Sequence, residues 1–293
     1  MNQRLRGLAY RMLGNVADVE DVLQEAALRM HERGLKAEAH ALDSEEAYLY
    51  AVVSRLCIDK LRKQKVERKH YFGPWLPDPA PESFFEPIGV QPEAQLEAQH
   101  DLGMIMMCLV DQLSPVERVA FVLREAFDFS YAEIGKMLDV TPANARQRAC
   151  RARARLKSLN YDELLVQQRS QQADEHRLAL EEMVRCVQAG DSAGLIDLMA
   201  EDVVAIADGG GVVSAAIAPV TGRERIAQVT MFLLNKTATE GEITMHYEPM
   251  NDSWGLVVRQ DEQLHSCSTL TTRNGLVDGI YVWRNPHKMT HLT

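Results

Sequence analysis

The chain has 293 residues, a formal net charge of −10 and 46% hydrophobic residues, which is room for two or three ordinary globular domains. No apolar run reaches the length of a membrane span, and Met1 to Tyr10 lacks the apolar core of a signal peptide, so a cytoplasmic protein with no membrane partner is expected. Cys57, Cys108, Cys150, Cys186 and Cys267 are odd in number and scattered, with neither zinc nor disulfide spacing. They read as reduced, mostly buried thiols, and no metal or cofactor is expected.

The acidity is local. Residues 1–70 carry thirteen Lys/Arg against eleven Asp/Glu, and 101–160 carry nine against seven. Residues 71–100 hold five acids and no base, and 161–293 hold nineteen acids against ten bases. Phosphate attraction reaches about one Debye length, so a mildly basic segment can bind nucleic acid inside an acidic chain.

Residues 4–33 read as two helices hinged at Gly14-Asn15, with Leu5, Leu8, Met12, Val19, Val22, Leu23, Ala26 and Met30 as apolar faces. Asp18, Glu20 and Asp21 suit the start of the second helix, and Gln24 and Glu25 continue a polar face fit to dock on a basic partner. Glu45 to Lys65 is a third helix with Leu49, Val52, Val53, Leu56 and Leu61 inward. Between Arg55 and His70 there are seven bases and two acids, more than a helix C-terminus needs, which points to a nucleic-acid contact.

Tyr71 to Pro92 contains six prolines and reads as an extended linker, with Trp75, Leu76, Phe84 and Phe85 too apolar for a passive spacer. Ala94 to Leu113 is a helix whose methionines belong to a core. Ser114, Pro115 and Glu117 then open a helix that buries Val119, Val122, Leu123 and Phe127.

The spacing Ser130…Glu133 is a capping box and predicts a helix over Tyr131 to Leu138, with Ile134 and Leu138 inward and Gly135 admitting a neighbouring helix. After Asp139-Val140, Thr141 caps and Pro142 starts the next helix. Ala145, Ala149, Ala152 and Leu156 form its narrow inner stripe, and no acid lies between Ala143 and Lys157. This is a helix-turn-helix whose thin, basic second member can enter a major groove.

Tyr161 to Ala189 is a polar helical connection, and GDSAGLIDLMAEDVVAIADGGG gives a short helix, a strand and a glycine turn. From Thr244 four strands follow, ITMHYEPM, WGLVVRQD, QLHSCSTLTTRNG and VDGIYVWRNP, which suggests an α+β cone. Asp208, His246, His265 and Asp278 could serve as acid or base, but they show no convincing spacing, and no catalytic residue is assigned.

These segments resemble a bacterial sigma factor of the extracytoplasmic-function (ECF) group, in the subgroup with a fused C-terminal SnoaL-like domain. LRGLAYRMLGNVADVEDVLQEAALRMHE is similar to the helix pair that grips RNA polymerase, and AYLYAVVSRLCIDKLRK to the part that opens and reads the downstream promoter element. LSPVERVAFVLREAFDFSYAEIGKMLDVTPANARQRACRARARL is similar to the region that reads the upstream element. GPWLPDP, Asp208 to Gly211 and Asn285 to Met289 match signatures of that subgroup, departing from it at Val212, His287 and Met289.

The resemblance implies a multidomain fold: sigma region 2 over 1–70, a linker over 71–93, sigma region 4 over 94–160, and a SnoaL-like domain over 161–293. It implies core RNA polymerase as partner of Asp18, Asp21, Gln24 and Glu25. It implies promoter DNA as partner of Arg55, Lys60, Arg62 and Lys63, and of Asn144, Arg146, Gln147, Arg148, Arg151 and Arg155. Arginine can pair with guanine and Asn or Gln with adenine, whereas Arg153 and Arg155, later on the helix, suit phosphate. Trp75, Leu76, Pro77, Asp208, Gly209, Gly210, Gly211, Asn285, Pro286 and His287 would form a regulatory contact between domains, with no separate anti-sigma factor required. The C-terminal pocket would be empty or hold an unidentified small ligand. Two alternatives are an active SnoaL-like enzyme and a helix-turn-helix regulator acting without core polymerase.

Overall fold

The computed structural model describes residues 3–36, 44–80, 111–158, 173–251 and 253–292. They fall into two units. One takes the described residues up to Lys69 and those of 111–158; the other takes His70 to Ala80 and all described residues from Ala173 on. The helix expected over 94–113 and the linker beyond Ala80 lie almost wholly outside the described residues.

In the first unit α1 (Gln3–Leu13) and α2 (Val16–Lys36) turn at Gly14, and α3 (Glu45–Glu67) starts where Ser44 Oγ accepts from Ala47 N at 3.1 Å. Leu5, Leu8, Met12, Val19, Leu23, Val53 and Cys57 are buried among them. Next come α4 (Pro115–Glu125), α5 (Tyr131–Leu138) and α6 (Pro142–Lys157).

The cap of α5 is the reciprocal box its sequence spells. Glu133 N donates to Ser130 Oγ at 3.2 Å, and Ser130 N to Glu133 Oε2 at 2.8 Å. Asp139 turns the chain in the left-handed region (φ 56°), and Thr141 Oγ1 accepts from Asn144 N at 3.2 Å. The inner residues of α5 are Ile134 and Met137, with Leu138 only half-buried. Gly135 faces the turn and the start of α6: a Cβ there would stand 2.7 Å from the Val140 carbonyl and 3.3 Å from Pro142 N. The small stripe of α6, Ala145, Ala149, Ala152 and Leu156, is buried, as its spacing requires.

The two helical triplets pack together within this unit. Arg118 Nη1 donates to Met12 O at 2.7 Å and Nη2 to Asp111 at 2.6 Å, while Arg68 also pairs with Asp111. Tyr50 meets the rings of Phe127 and Phe129 edge-on.

The second unit is an α+β layer structure. α7 (Ala173–Ala189) and α8 (Ser192–Asp197) lead into β1 (Met199–Asp208); β2 (Val220–Thr221) and α9 (Arg223–Glu240) follow. Then β3 (Ile243–Met250), β4 (Ser253–Gln260), β5 (Gln263–Arg273) and β6 (Leu276–Trp283) complete a six-stranded sheet in the order β2-β1-β6-β5-β4-β3. Only the β1–β6 pair is parallel, and register shifts at Val258/Arg259 and Thr271/Thr272 interrupt the antiparallel ladders. Leu180, Cys186, Leu195, Val203, Ile226, Leu270 and Val277 form the core between helices and sheet. The sequence reading left 223–240 unassigned; it is an 18-residue helix.

Candidate nucleic-acid interface and linker clamp

On α6 the residues opposite the alanine stripe are open. Arg146, Gln147, Arg151 and Arg155 are exposed. Arg148 is half-buried, and its Nε donates to Asn144 Oδ1 at 2.9 Å, so these two expected base readers are joined to each other. Arg153 does not stand free beside Arg155 as a phosphate ligand, because its guanidinium lies 2.6 Å from Glu125 of α4.

On α3, Arg62 and Lys63 are exposed, Arg62 pairing with Asp59 at 2.9 Å. Lys60 faces inward to the start of α2: its Nζ lies 2.6 Å from Asp18 and 2.9 Å from Asp21. One expected DNA contact is thus bound to two expected polymerase contacts. Asp18 also accepts from Gln64 at 2.7 Å. Asp21 and Gln24 remain exposed, Glu25 pairs with Arg29 at 2.8 Å, and Leu28, which the sequence reading passed over, is 55% exposed on the same helix.

Arg55 Nε donates to the Met137 carbonyl at 3.2 Å, which ties the expected downstream reader to α5. Between α3 and the second helical triplet a cleft of about 550 Å³ gathers Lys65, Arg68, Lys69 and Arg155, with Asp111 and Glu117 as its acids. Burial would raise the Asp111 pKa, yet Arg118 and Arg68 hold it below the usual carboxylate range.

In the second unit the stretch from Tyr71 to Ala80 lies along the α+β domain. Pro74, Pro77 and Pro79 have no N–H, so recognition falls on carbonyls. Five successive ones are met. Lys288 Nζ donates to Leu76 O, and Trp283 Nε1 to Pro77 O at 2.6 Å. Asn251 Nδ2 reaches Asp78 O at 3.5 Å, His291 Nε2 donates to Pro79 O, and Asn251 N donates to Ala80 O at 3.0 Å. Ala80 N returns a bond to Asn251 Oδ1 at 2.5 Å.

Asp208, fully buried at the end of β1, accepts from Tyr71 Oη at 2.5 Å and from Leu76 N at 2.9 Å, and it pairs with Lys288 at 2.8 Å. Lys288 also lies 4.0 Å from Asp78 and 4.1 Å from the centre of the Trp75 ring. Asn285 donates to Tyr71 Oη at 3.1 Å and caps the turn that carries Lys288. Gly210 (φ 59°) and Gly211 (φ 73°) let the linker close: a Cβ on the first would collide with the Asn285 side chain, and one on the second would stand 3.0 Å from Phe72.

Of the expected interdomain residues, Trp75, Leu76, Pro77, Asp208, Gly210, Gly211 and Asn285 meet in this clamp. Gly209 packs on Ala215, and Pro286 and His287 are exposed on the turn. Lys288, Trp283, Asn251 and His291 were missed. Lys288 stands inside the Asn285 to Met289 signature.

The four possible acid/base groups do not converge. Asp208 is held by the linker, His246 by Glu248 at 2.7 Å, His265 by Arg284 at 3.1 Å, and Asp278 by Thr271 at 2.7 Å. No described helix is long and apolar enough to cross a membrane, and no metal-binding cluster occurs among the described residues.

The sequence matches the family models for sigma-70 region 2 over residues 2–67 and sigma-70 region 4 over residues 103–156. It is 32% identical over 236 residues to the ECF RNA polymerase sigma factor SigJ of Mycobacterium tuberculosis, a match covering 80% of this chain and 72% of that one. The probable ECF RNA polymerase sigma factor SigI of the same organism is 28% identical over 194 residues, 66% of this chain and 62% of that one. The crystal structure of SigJ superimposes with a TM-score of 0.72 at 28% identity, covering 98% of this chain and 95% of that one. The chain therefore belongs to the ECF family of RNA polymerase sigma factors.

Proposed function

We propose that this sigma factor carries core RNA polymerase to a two-part promoter, performs no covalent chemistry, and is controlled by its own C-terminal domain through the linker. The observation that carries the last part is the run of five linker carbonyls, Leu76 to Ala80, each accepting a hydrogen bond from that domain. A linker so held cannot stretch to let regions 2 and 4 occupy two separated DNA elements. What supports a closed resting form is the tie between Arg55 and Met137, which engages a promoter-reading side chain inside the first unit. No separate anti-sigma factor is needed in this scheme, because the clamp is covalently attached and acts at high effective concentration.

Run-off transcription with purified core polymerase tests the reading, using full-length protein, a chain ending before Asn285, and Lys288→Met. The truncated chain and Lys288→Met should both give more transcript than the full-length protein. Unchanged output from both, with linker release verified by protease sensitivity at Tyr71 to Ala80, rejects control through the clamp. No transcript from any of the three rejects promoter initiation by this chain.

A further inference from the structure

The sheet face that α7 and α9 cover encloses a cavity of about 190 Å³ that the linker does not enter. Its walls are mostly hydrocarbon: Met183 and Val184 from α7, Leu234 from α9, and Met245, Leu256 and Val282 from the strands. Strand alternation separates it from the clamp. Ile280, Val282 and Arg284 line the cavity, while Trp283, between the last two, turns to Pro77.

Two nitrogen-bearing side chains, Arg284 and His265, line this mostly hydrocarbon space, whose other polar groups are the hydroxyls of Thr230, Thr237, Ser266, Ser268 and Thr269. Arg284 donates through Nη1 to Ser214 O at 2.6 Å, and its Nη2 lies 3.1 Å from His265 Nε2. Its Nε is buried with no hydrogen-bond partner. Burial pulls the Arg284 pKa down, with only Glu240 acting the other way. Burial and the Arg284 charge together lower the His265 pKa, so the imidazole is neutral near pH 7 and cannot balance the guanidinium. A guanidinium on the wall of a mostly hydrocarbon cavity, held by a carbonyl and an imidazole and with Glu240 acting on it without a direct ion pair, can take a further anion.

We propose that this cavity is a binding site for an apolar monocarboxylate, with the acid group on Arg284 and the hydrocarbon among the α7, α9 and strand side chains. A planar carboxylate suits the fork of a guanidinium, and one anion balances one cation. A phosphate ester brings up to two charges and a larger polar head into a mostly hydrocarbon space. The size of the tail follows from the volume, since a dry cavity of about 150 Å³ holds a benzene ring. The acid therefore carries one ring or a short branched chain. This site is independent of the linker reading and is tested by binding alone.

Calorimetric titration of the full-length protein with benzoate, phenylacetate and hexanoate, each beside its alcohol and amine counterpart, decides it. At least one acid should bind saturably at one site per chain and at least tenfold tighter than its alcohol, with the amines weaker still. Arg284→Gln should erase the acid preference, Arg284→Lys should keep part of it, and Val184→Phe, which fills the space, should abolish binding. Equal binding of acids and alcohols, an acid preference that survives Arg284→Gln in a folded protein, or no saturable acid in the wild type overturns the proposal. If the Arg284 variants lose their circular-dichroism spectrum, the wild-type comparison of acid, alcohol and amine decides alone.

Discussion

Lys288 and Asp208 form an ion pair at 2.8 Å in which the side chains are 6% and 0% exposed, and the linker supplies most of what surrounds it. A buried pair of this kind adds little over apolar packing, but removing one partner strands the other charge. Lys288→Met removes the cation that pairs with Asp208 and lies 4.0 Å from Asp78. The C-terminal unit should lose about 3–5 kcal/mol, whereas Asp208→Asn, which keeps an acceptor for Tyr71 and Leu76, should lose less. Urea unfolding followed by tryptophan fluorescence measures both. A loss below about 1 kcal/mol in Lys288→Met would mean the pair is solvated in solution and the clamp is not built on it.

How far the sequence could lead to this clamp depends on the distance over which each part is specified. The helix-turn-helix was legible because its signals are local: Ser130 with Glu133, Thr141 with Pro142, and an alanine every third or fourth residue. The glycine turn after Asp208 was visible locally only as a turn; its place in a contact with the linker came from the family resemblance, because Tyr71 and Phe72 approach it from more than 130 residues away. Which of Trp283 and Arg284 faces the linker depends on how β6 pairs with β1 and β5. Asn251 meets Ala80 only because the β3–β4 turn ends beside the linker. The helix α9 lacks a side-chain cap and starts after Gly222, so it left no start signal.

The second prediction concerns pH. Burial lowers the pKa of His176, His265 and His291 in the folded C-terminal unit below the usual 6.5. Glu175 and Asp278 oppose the shift at His176, Arg284 adds to it at His265, and the Pro79 carbonyl opposes it at His291. Between these lowered values and 6.5 the unfolded chain binds more protons than the folded one, so stability rises with pH across that window. It is fully present above 6.5 and lost as pH falls through the folded values. The urea midpoint of the C-terminal unit should therefore drop between pH 7.5 and pH 5.5, and less so in His291→Gln. A midpoint that rises on acidification contradicts the shared direction of the three shifts.

Gln24, Asp21 and Leu28 are exposed on α2, so changes there separate binding from folding. An exposed leucine costs little stability when replaced, and single exposed polar changes usually stay within about 0.5 kcal/mol. Leu28→Ala with Gln24→Ala should leave thermal unfolding of the first unit unchanged while weakening capture by core polymerase at least fivefold in a pull-down. Asp21→Lys is a poorer probe, because it also sets a cation against Lys60. Full-strength capture by the double variant would move the polymerase contact off this face.

The last prediction divides α6 by the partners its arginines already have. Arg148 Nε donates to Asn144 Oδ1 at 2.9 Å, so on the proposal that both residues read bases they should behave as one unit. Each single alanine variant should cost about 1–3 kcal/mol on the cognate upstream element, and the double variant less than the sum, because either change disables the same unit. Arg155 is exposed and lines the basic cleft with Lys65, Arg68 and Lys69, where no base edge is needed to attract it. Arg155→Ala should weaken cognate and random duplexes alike and lower the salt slope by about one. Arg153→Ala breaks its bond to Glu125, so its effect should register as lost stability of the α4–α6 packing before lost affinity. Titrations of fluorescent cognate and scrambled duplexes at several salt concentrations separate these outcomes. Additive losses for Asn144 and Arg148 would show that their mutual bond is exchanged for separate base contacts on DNA. A sequence-dependent loss at Arg155 would place that residue in the groove.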